Sequence, residues 1–210
     1  MIKVGYCNVK NLDLNKAYVL VSKNRKEKID EYMFDKNKKE SAGAALLLKK
    51  LLSEENITNP IINTGEYGKP YISNHENIHF NLSHSNEMVL CAISDMEIGV
   101  DIEYIDPEID LTLAKNYFHN KEYENIMNAK NKAEEFFKYW VLKESYMKYT
   151  GLGMNITLDS FEIIINEKIK LKNDKKNLKF NLFDYNNYKI AITSHYDDYE
   201  LKEYNIEELY

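Results

Sequence analysis

Cysteine is scarce in this 210-residue chain, and the two that occur, Cys7 and Cys91, stand far apart with no CxxC spacing. That pattern argues against a disulfide framework and against a cysteine-ligated zinc site, and a reducing cytoplasm is the expected setting. Proline is scarcer than an unfolded chain would show: three residues, against 17 tyrosines, which argues for a packed protein rather than a disordered one. No apolar run approaches the ~20 residues needed to cross a bilayer, so no membrane role is expected. The opening stretch MIKVGYCNVKNLDL has no apolar core of the kind a secretory signal carries. Nucleotide motifs are missing too. Neither GxGxxG nor GxxxxGK[ST] occurs, which disfavours Rossmann and P-loop chemistry, and no GxSxG elbow supports a serine nucleophile. The five histidines show no metal-ligand spacing.

An excess of positive charge is also absent. The net charge is −6, which disfavours general nucleic-acid binding. Residues 23–39, KNRKEKIDEYMFDKNKK, run against the trend with a local excess of +3, leaving −9 on the rest. Such a segment is either a solvated helix face or a receptor for a small polyanion.

At this length the chain has room for a substantial core. Residues 1–21 suggest an early strand or hairpin around AYVLVS. Ser22 is placed to cap a helix running to about Met33, and SAGAALLLKKLL from Ser41 to Leu52 suggests a second, buried helix. TGEYGKPYI is turn-like. IHFNLSHS and EMVLCAIS suggest adjacent strands joined at Ser85–Glu87 and leading into IGVDIEYI. Helices are expected over 111–129 and 133–149, the second stopping before Gly151. The tail, from SFEIII through KFNLF to YKIAITSH, suggests a three-strand meander, and the lysine-rich KIKLKNDKKNLK a hairpin tip. No linker and no repeat is apparent. The fold class is α+β.

In IGVDIEYI, Asp101 and Glu103 alternate with Val100, Ile102 and Tyr104. Residues two apart share a strand face, with Cα atoms roughly 6.6 Å apart. Two such carboxylates either face water on an edge strand or converge on a hard cation. The helix AEEFFKYWVLKESYMKYT bears on that choice. At about 100° per residue its apolar stripe runs through Phe136, Met147, Trp140, Phe137 and Val141, and Glu144 falls in the middle with Lys148 beside it. A buried carboxylate requires a cation, a metal or a proton. Either Glu144 and Lys148 form an internal i,i+4 ion pair, or Glu144 joins Asp101 and Glu103 around a divalent metal with Lys148 facing a phosphate. An all-oxygen set suits Mg²⁺, with Mn²⁺ as the alternative. His84 in FNLSHS is either a structural histidine or a donor to a phosphate.

GKPYI, FNLSHS, IGVDIEYI and FFKYWVLKESYMKYTGLGM together, over about residues 65–157, resemble the 4′-phosphopantetheinyl transferase family. Their order and spacing are similar to the larger, monomeric class that activates acyl and peptidyl carrier proteins. The resemblance implies two similar α+β subdomains, related by a pseudo-twofold axis and each an antiparallel sheet packed with helices. The active site would lie in the cleft between them. Residues 1–97 would bind coenzyme A and residues 98–210 would carry the metal site and dock the carrier. By motif match Asp101, Glu103 and Glu144 become the metal ligands. Tyr67 to Ile72, with Gly68, Lys69 and Pro70 among them, would line the adenine pocket, and Ser83 and His84 would hold phosphates. Lys143 and Lys148 would serve the phosphate end. Arg25 and Lys28 correspond to cationic coenzyme contacts, and Ser41 to a hydroxyl at the next helix start. Catalysis would rest on Glu144, Lys148 and His84, with Glu144 positioning or deprotonating the carrier serine. One departure is that Glu40 precedes Ser41 where the family commonly has Arg or Lys, so either the register slips or Lys39 substitutes. A coenzyme-binding protein without catalysis and an unrelated Mg²⁺-dependent phosphotransferase are the rival readings.

Overall fold

The computed structural model describes residues 2–210. Strand β1, Ile2–Asn8, is buried along nearly its whole length because both its faces are covered. The AYVLVS segment expected to be strand is instead helix α1, Leu14–Leu20. Asp13 decides the matter: its carboxylate accepts from the backbone N–H groups of Asn15 and Lys16 and starts the helix. Ser22 caps α2, Lys23–Asp30, as expected, though the helix stops short of Met33. Helix α3, Asp35–Glu54, begins six residues before Ser41, which therefore lies inside the helix and not at its start. The hairpin β2, Ile62–Thr64, and β3, Pro70–Ile72, frames the Gly-containing turn. Strands β4, His79–Ser85, and β5, Met88–Ser94, form a hairpin turning at Asn86 and Glu87, both with positive φ. Strand β6 is Gly99–Tyr104.

The helix expected over 111–129 is two, α4 Thr112–Tyr117 and α5 Asn120–Asn128. His119 breaks it, forming a capping box with Glu122 that starts a new helix. Helix α6, Lys132–Thr150, ends at Gly151 in the left-handed conformation, φ 68°. Five strands follow where three were expected: β7 Ile163–Ile165, β8 Ile169–Leu171, β9 Lys179–Tyr185, β10 Tyr188–Ser194 and β11 Tyr199–Glu203.

Two sheets carry the structure, one in the order β11-β1-β5-β4 and one in the order β6-β10-β9. They meet face to face through Ile2, Val4, Leu90 and Ala92 of the first and Val100, Ile102, Ile190 and Ile192 of the second. Helix α3 covers the outer side of the first sheet and α6 that of the second. The split at 97/98 does not describe the tail. Strand β11 pairs in parallel with β1, and Tyr204 and Leu209 join the core under α3, because the outer edge of β1 would otherwise be unpaired. Among the described residues no helix is long and apolar enough to cross a membrane.

Candidate active site

Because Val100 and Ile102 point into the core between the sheets, Asp101 and Glu103 must point the other way, toward α6. The second side of β6 is therefore not a wet face: Asp101 is 2% exposed. Gly99 makes this close layering possible. A Cβ there would lie 2.0 Å from the Ser145 carbonyl oxygen and 2.3 Å from the Tyr149 nitrogen, so the helix backbone rests directly on the strand. That contact brings Glu144 and Lys148 over the carboxylates.

Asp101 Oδ1 accepts from Lys148 Nζ at 2.6 Å and from Ser83 Oγ at 2.8 Å, and Lys148 also donates to Ser83 Oγ at 2.9 Å. Lys148 thus pairs with Asp101 and not in the i,i+4 ion pair with Glu144. Asp101 Oδ2 is buried and has no partner. Glu103 accepts from Ser85 Oγ at 2.6 Å and from Trp140, yet burial and the neighbouring Asp101 push its carboxyl up to about 7. Burial, and then Asp101, also raise the Glu144 carboxyl. Three acidic side chains thus oppose one another's charge beside one ammonium group. Among the described residues no trio of His, Cys, Asp or Glu is converged closely enough to enclose an ion.

Ser83 and His84 separate, as neighbours on a strand must. Ser83 joins Asp101 and Lys148, whereas exposed His84 places Nδ1 3.1 Å from Glu40 Oε2. Glu40 is buried and also accepts from the Glu87 N–H at 3.0 Å. Burial would raise its carboxyl, but those bonds hold it below the ordinary carboxylate value. The residue that departs from the family pattern is therefore the partner of His84. One helical step on, Ser41 Oγ accepts from Arg25 Nη1 at 3.3 Å. Lys28 is exposed in the last turn of α2. Lys39 donates to the Lys10 carbonyl at 2.7 Å.

Lys143 is not brought to the site. It is fully buried on the other side of α6, 2.8 Å from Glu122, and donates to the carbonyls of Leu158 at 2.7 Å and Phe161 at 2.8 Å. The motif match misplaces it: the helix is buried nearly all round, with Tyr139, Leu142 and Ser145 also inside, so its far side packs on α5 and the segment before β7.

A cavity of about 380 Å³ opens between the β2–β3 hairpin and the end of α6, lined by Lys69, Pro70, Tyr71, Phe80, Tyr149 and Lys176 among others. Tyr67, 46% exposed, and Gly68, at φ 90°, form the turn beside it rather than its wall. Lys69 is a tie rather than a solvated lysine. Its ammonium reaches Glu97 at 2.6 Å, the Tyr149 carbonyl at 3.1 Å and the Ile98 carbonyl at 3.2 Å. A larger open hollow of about 830 Å³, bordered by Pro107, Ile109, Ala133 and Lys138, contains none of the expected site residues.

Sequence reasoning missed Asn81, Ser85, Glu97 and Lys176. The polar i, i+2, i+4 alternation Asn81-Ser83-Ser85 in β4 was a legible signal for the first two. Nothing local marks the others.

Residues 97–199 match the family model described as the 4′-phosphopantetheinyl transferase superfamily, and residues 9–96 match that of the 4′-phosphopantetheinyl transferase N-terminal region. The chain is 40% identical over 152 residues to the 4′-phosphopantetheinyl transferase gsp of Aneurinibacillus migulanus, covering 70% of this chain and 63% of the relative. It is 42% identical to the Sfp enzyme of Bacillus subtilis over 50% of this chain and 47% of the relative. To the ffp enzyme of Bacillus subtilis it is 34% identical, over 70% of this chain and 67% of the relative. Matched segments thus span between about half and two thirds of these relatives. With a buried carboxylate strand, a Glu/Lys helix above it and two adjoining family matches, the chain belongs to the 4′-phosphopantetheinyl transferase family.

Proposed function

We propose that this protein transfers 4′-phosphopantetheine from coenzyme A to a serine of an apo acyl or peptidyl carrier protein and releases 3′,5′-ADP. The serine oxygen forms a bond to the pantetheine-side phosphorus, the bond from that phosphorus to the bridging oxygen breaks, and 3′,5′-ADP leaves with the electron pair. The observation that carries this reading is Asp101: a buried carboxylate with one orphaned oxygen, flanked by two acids whose protons are held above the ordinary range. The chemistry of that donor set, three carboxylates with one oxygen left unpartnered, suits a hard divalent ion, and Asp101, Glu103 and Glu144 would draw together to hold Mg²⁺ or Mn²⁺. When bound, such an ion neutralises charge on the pyrophosphate.

The chain's own groups do the rest. Lys148, 29% exposed and hinged between Ser83 and Asp101, is placed to stabilise phosphate charge. Glu144, whose carboxyl burial and then Asp101 raise above the ordinary carboxylate value, is placed to orient the carrier serine and, as its carboxylate, to accept the serine proton. Ser83 and His84 face the phosphates from opposite sides of β4. Arg25, Ser41 and the exposed Lys28 offer a second polar group for the remaining phosphate. The cavity beside Lys69 and Pro70, floored by Phe80, suits the adenine ring. In this reading the coenzyme rests mainly on residues 1–97, and the metal and the carrier on residues that follow. The docking surface borders Leu152, which is 40% exposed. Free, buried Cys7 and Cys91 agree with a reducing cytoplasm. The protein would work as a monomer, without nucleic acid or membrane.

Incubation with coenzyme A, Mg²⁺ and a panel of apo carriers, read by intact mass, tests the proposal. Metal-dependent gain of one phosphopantetheine on a carrier is expected. Release of 3′,5′-ADP without a carrier, or no gain on any carrier, would overturn it.

A further inference from the structure

Strands β4 and β6 lie side by side but belong to different sheets, with no backbone ladder between them. Side chains replace it. Asn81 Oδ1 accepts from the Val100 N–H at 2.9 Å, Ser83 Oγ from Ile102 at 3.4 Å and Ser85 Oγ from Tyr104 at 3.2 Å. Each serine hydroxyl, having accepted from the β6 backbone, has its own proton left to donate. Ser83 gives it to Asp101 and Ser85 gives it to Glu103, the latter at 2.6 Å. The spacing of β4 is thus copied onto the carboxylates of β6, residue for residue.

From this geometry we infer that Ser85 is a positioning residue for Glu103 in the metal-binding set. Ser83 already contacts Lys148, so removing it would disturb several groups at once, whereas among the described residues the Ser85 hydroxyl hydrogen-bonds only with the Tyr104 N–H and the Glu103 carboxylate. A free glutamate side chain samples many rotamers, and fixing it before an ion arrives lowers the ordering cost of binding. Hydrogen-bond donors behind ligating carboxylates act in this way, and their loss ordinarily weakens metal affinity about 10–100-fold. The inference rests on the metal site proposed above.

The test is a Mn²⁺ titration followed by electron paramagnetic resonance, on the full chain saturated with coenzyme A and without carrier, so that no turnover occurs. Ser85→Ala is expected to raise the Mn²⁺ Kd about tenfold or more. Ser85→Thr, which keeps the hydroxyl, is expected to restore affinity to within about threefold of the parent. Should Ser85→Ala be too unstable to measure, Ser85→Cys keeps the size with a much weaker donor. Asp101→Ala serves as the control. If it removes Mn²⁺ binding while Ser85→Ala lowers only the melting temperature and leaves the Mn²⁺ Kd unchanged, Ser85 merely caps the strand and the inference is overturned. If Asp101→Ala leaves the Kd unchanged too, the metal site itself is wrong.

Discussion

The hairpins β4–β5 and β9–β10 are the same object built twice, one hundred residues apart. Both begin Phe-Asn-Leu, both turn at an asparagine with positive φ (Asn86, 45°; Asn186, 50°), and both close on a serine, Ser94 and Ser194. The segments they face repeat at the same offset, Asp101 and Glu103 in one and Leu201 and Glu203 in the other. Even one hydrogen bond recurs: Ser85 donates to Glu103 at 2.6 Å, and Tyr185 donates to Glu203 at 2.6 Å. Yet the first seam is polar, covered by α6 and charged, whereas the second is aromatic. Phe183 stacks on Tyr199 at 5.9 Å and Tyr185 meets Tyr6 edge-on at 4.7 Å. With Leu201 where the first seam has Asp101, and Glu203 exposed, nothing there demands a cation. The scaffold offers a seam twice. Residues at two alternating positions, and a helix over only one seam, decide that one becomes a site and the other a join.

The comparison can be broken or sharpened by mutation. The largest effect is expected from Asp101→Ala, which should lower carrier modification at least about a hundredfold, a loss of several kcal/mol of transition-state stabilisation. Its melting temperature should change little, since relief of the repulsion on Glu103 and Glu144 offsets the lost bonds from Lys148 and Ser83. Loss of fold instead of activity would make Asp101 structural and the two seams equivalent.

Next comes Gly99→Ala. Its Cβ would have to displace helix backbone at 2.0 Å. Denaturant unfolding should show a loss of about 1–3 kcal/mol or more, with activity falling alongside because α6 moves off β6.

The same substitution in the two hairpins should then give different answers. Asn81→Leu strands the Val100 N–H, and about 1–3 kcal/mol of stability should be lost. Asn181 has a buried amide nitrogen without a partner, so Asn181→Leu should be neutral or stabilising, by no more than about 1–2 kcal/mol. Equal losses in urea melts would show that the two asparagines do the same work.

The last effect is electrostatic and is read as a dependence on pH. Glu103 titrates near 7 in the folded, metal-free protein and near the ordinary carboxylate value when unfolded. The folded state therefore binds more protons between about pH 4.5 and 7, and the contribution of Glu103 to stability falls as pH rises through that window. Melting temperatures of the parent and of Glu103→Gln should diverge toward neutral pH, with the parent relatively weaker. Parallel curves would mean that Glu103 is not pressed by Asp101.

Much of the candidate site is legible in the sequence alone. The alternation of Asp101 and Glu103 in an apolar strand, and a glutamate inside a helix stripe, are local patterns with few explanations. The repeat was not legible. Between residues 80–94 and 180–194 only five positions of fifteen are identical, and Ser83, His84 and Ser85 are among the changed ones. Lys143 was misread because a motif match carries residue identity but not direction, and on a helix buried nearly all round the far side can also hold an ion pair. The short α1 was misread because a run of apolar residues suits either element, and a single capping aspartate tipped it.

What the sequence determined by itself is therefore chemistry at short range: which residues alternate, which cap, and which acids cannot be left unpaired. Tertiary structure alone decided which acids share a space and which basic groups answer them. Lys148 went to Asp101 rather than to Glu144, Lys143 to Glu122, and His84 to Glu40. Side-chain periodicity is set within a few residues, but charge pairing depends on distances across layers, and those exist only once β6 has been laid against β4 and beneath α6.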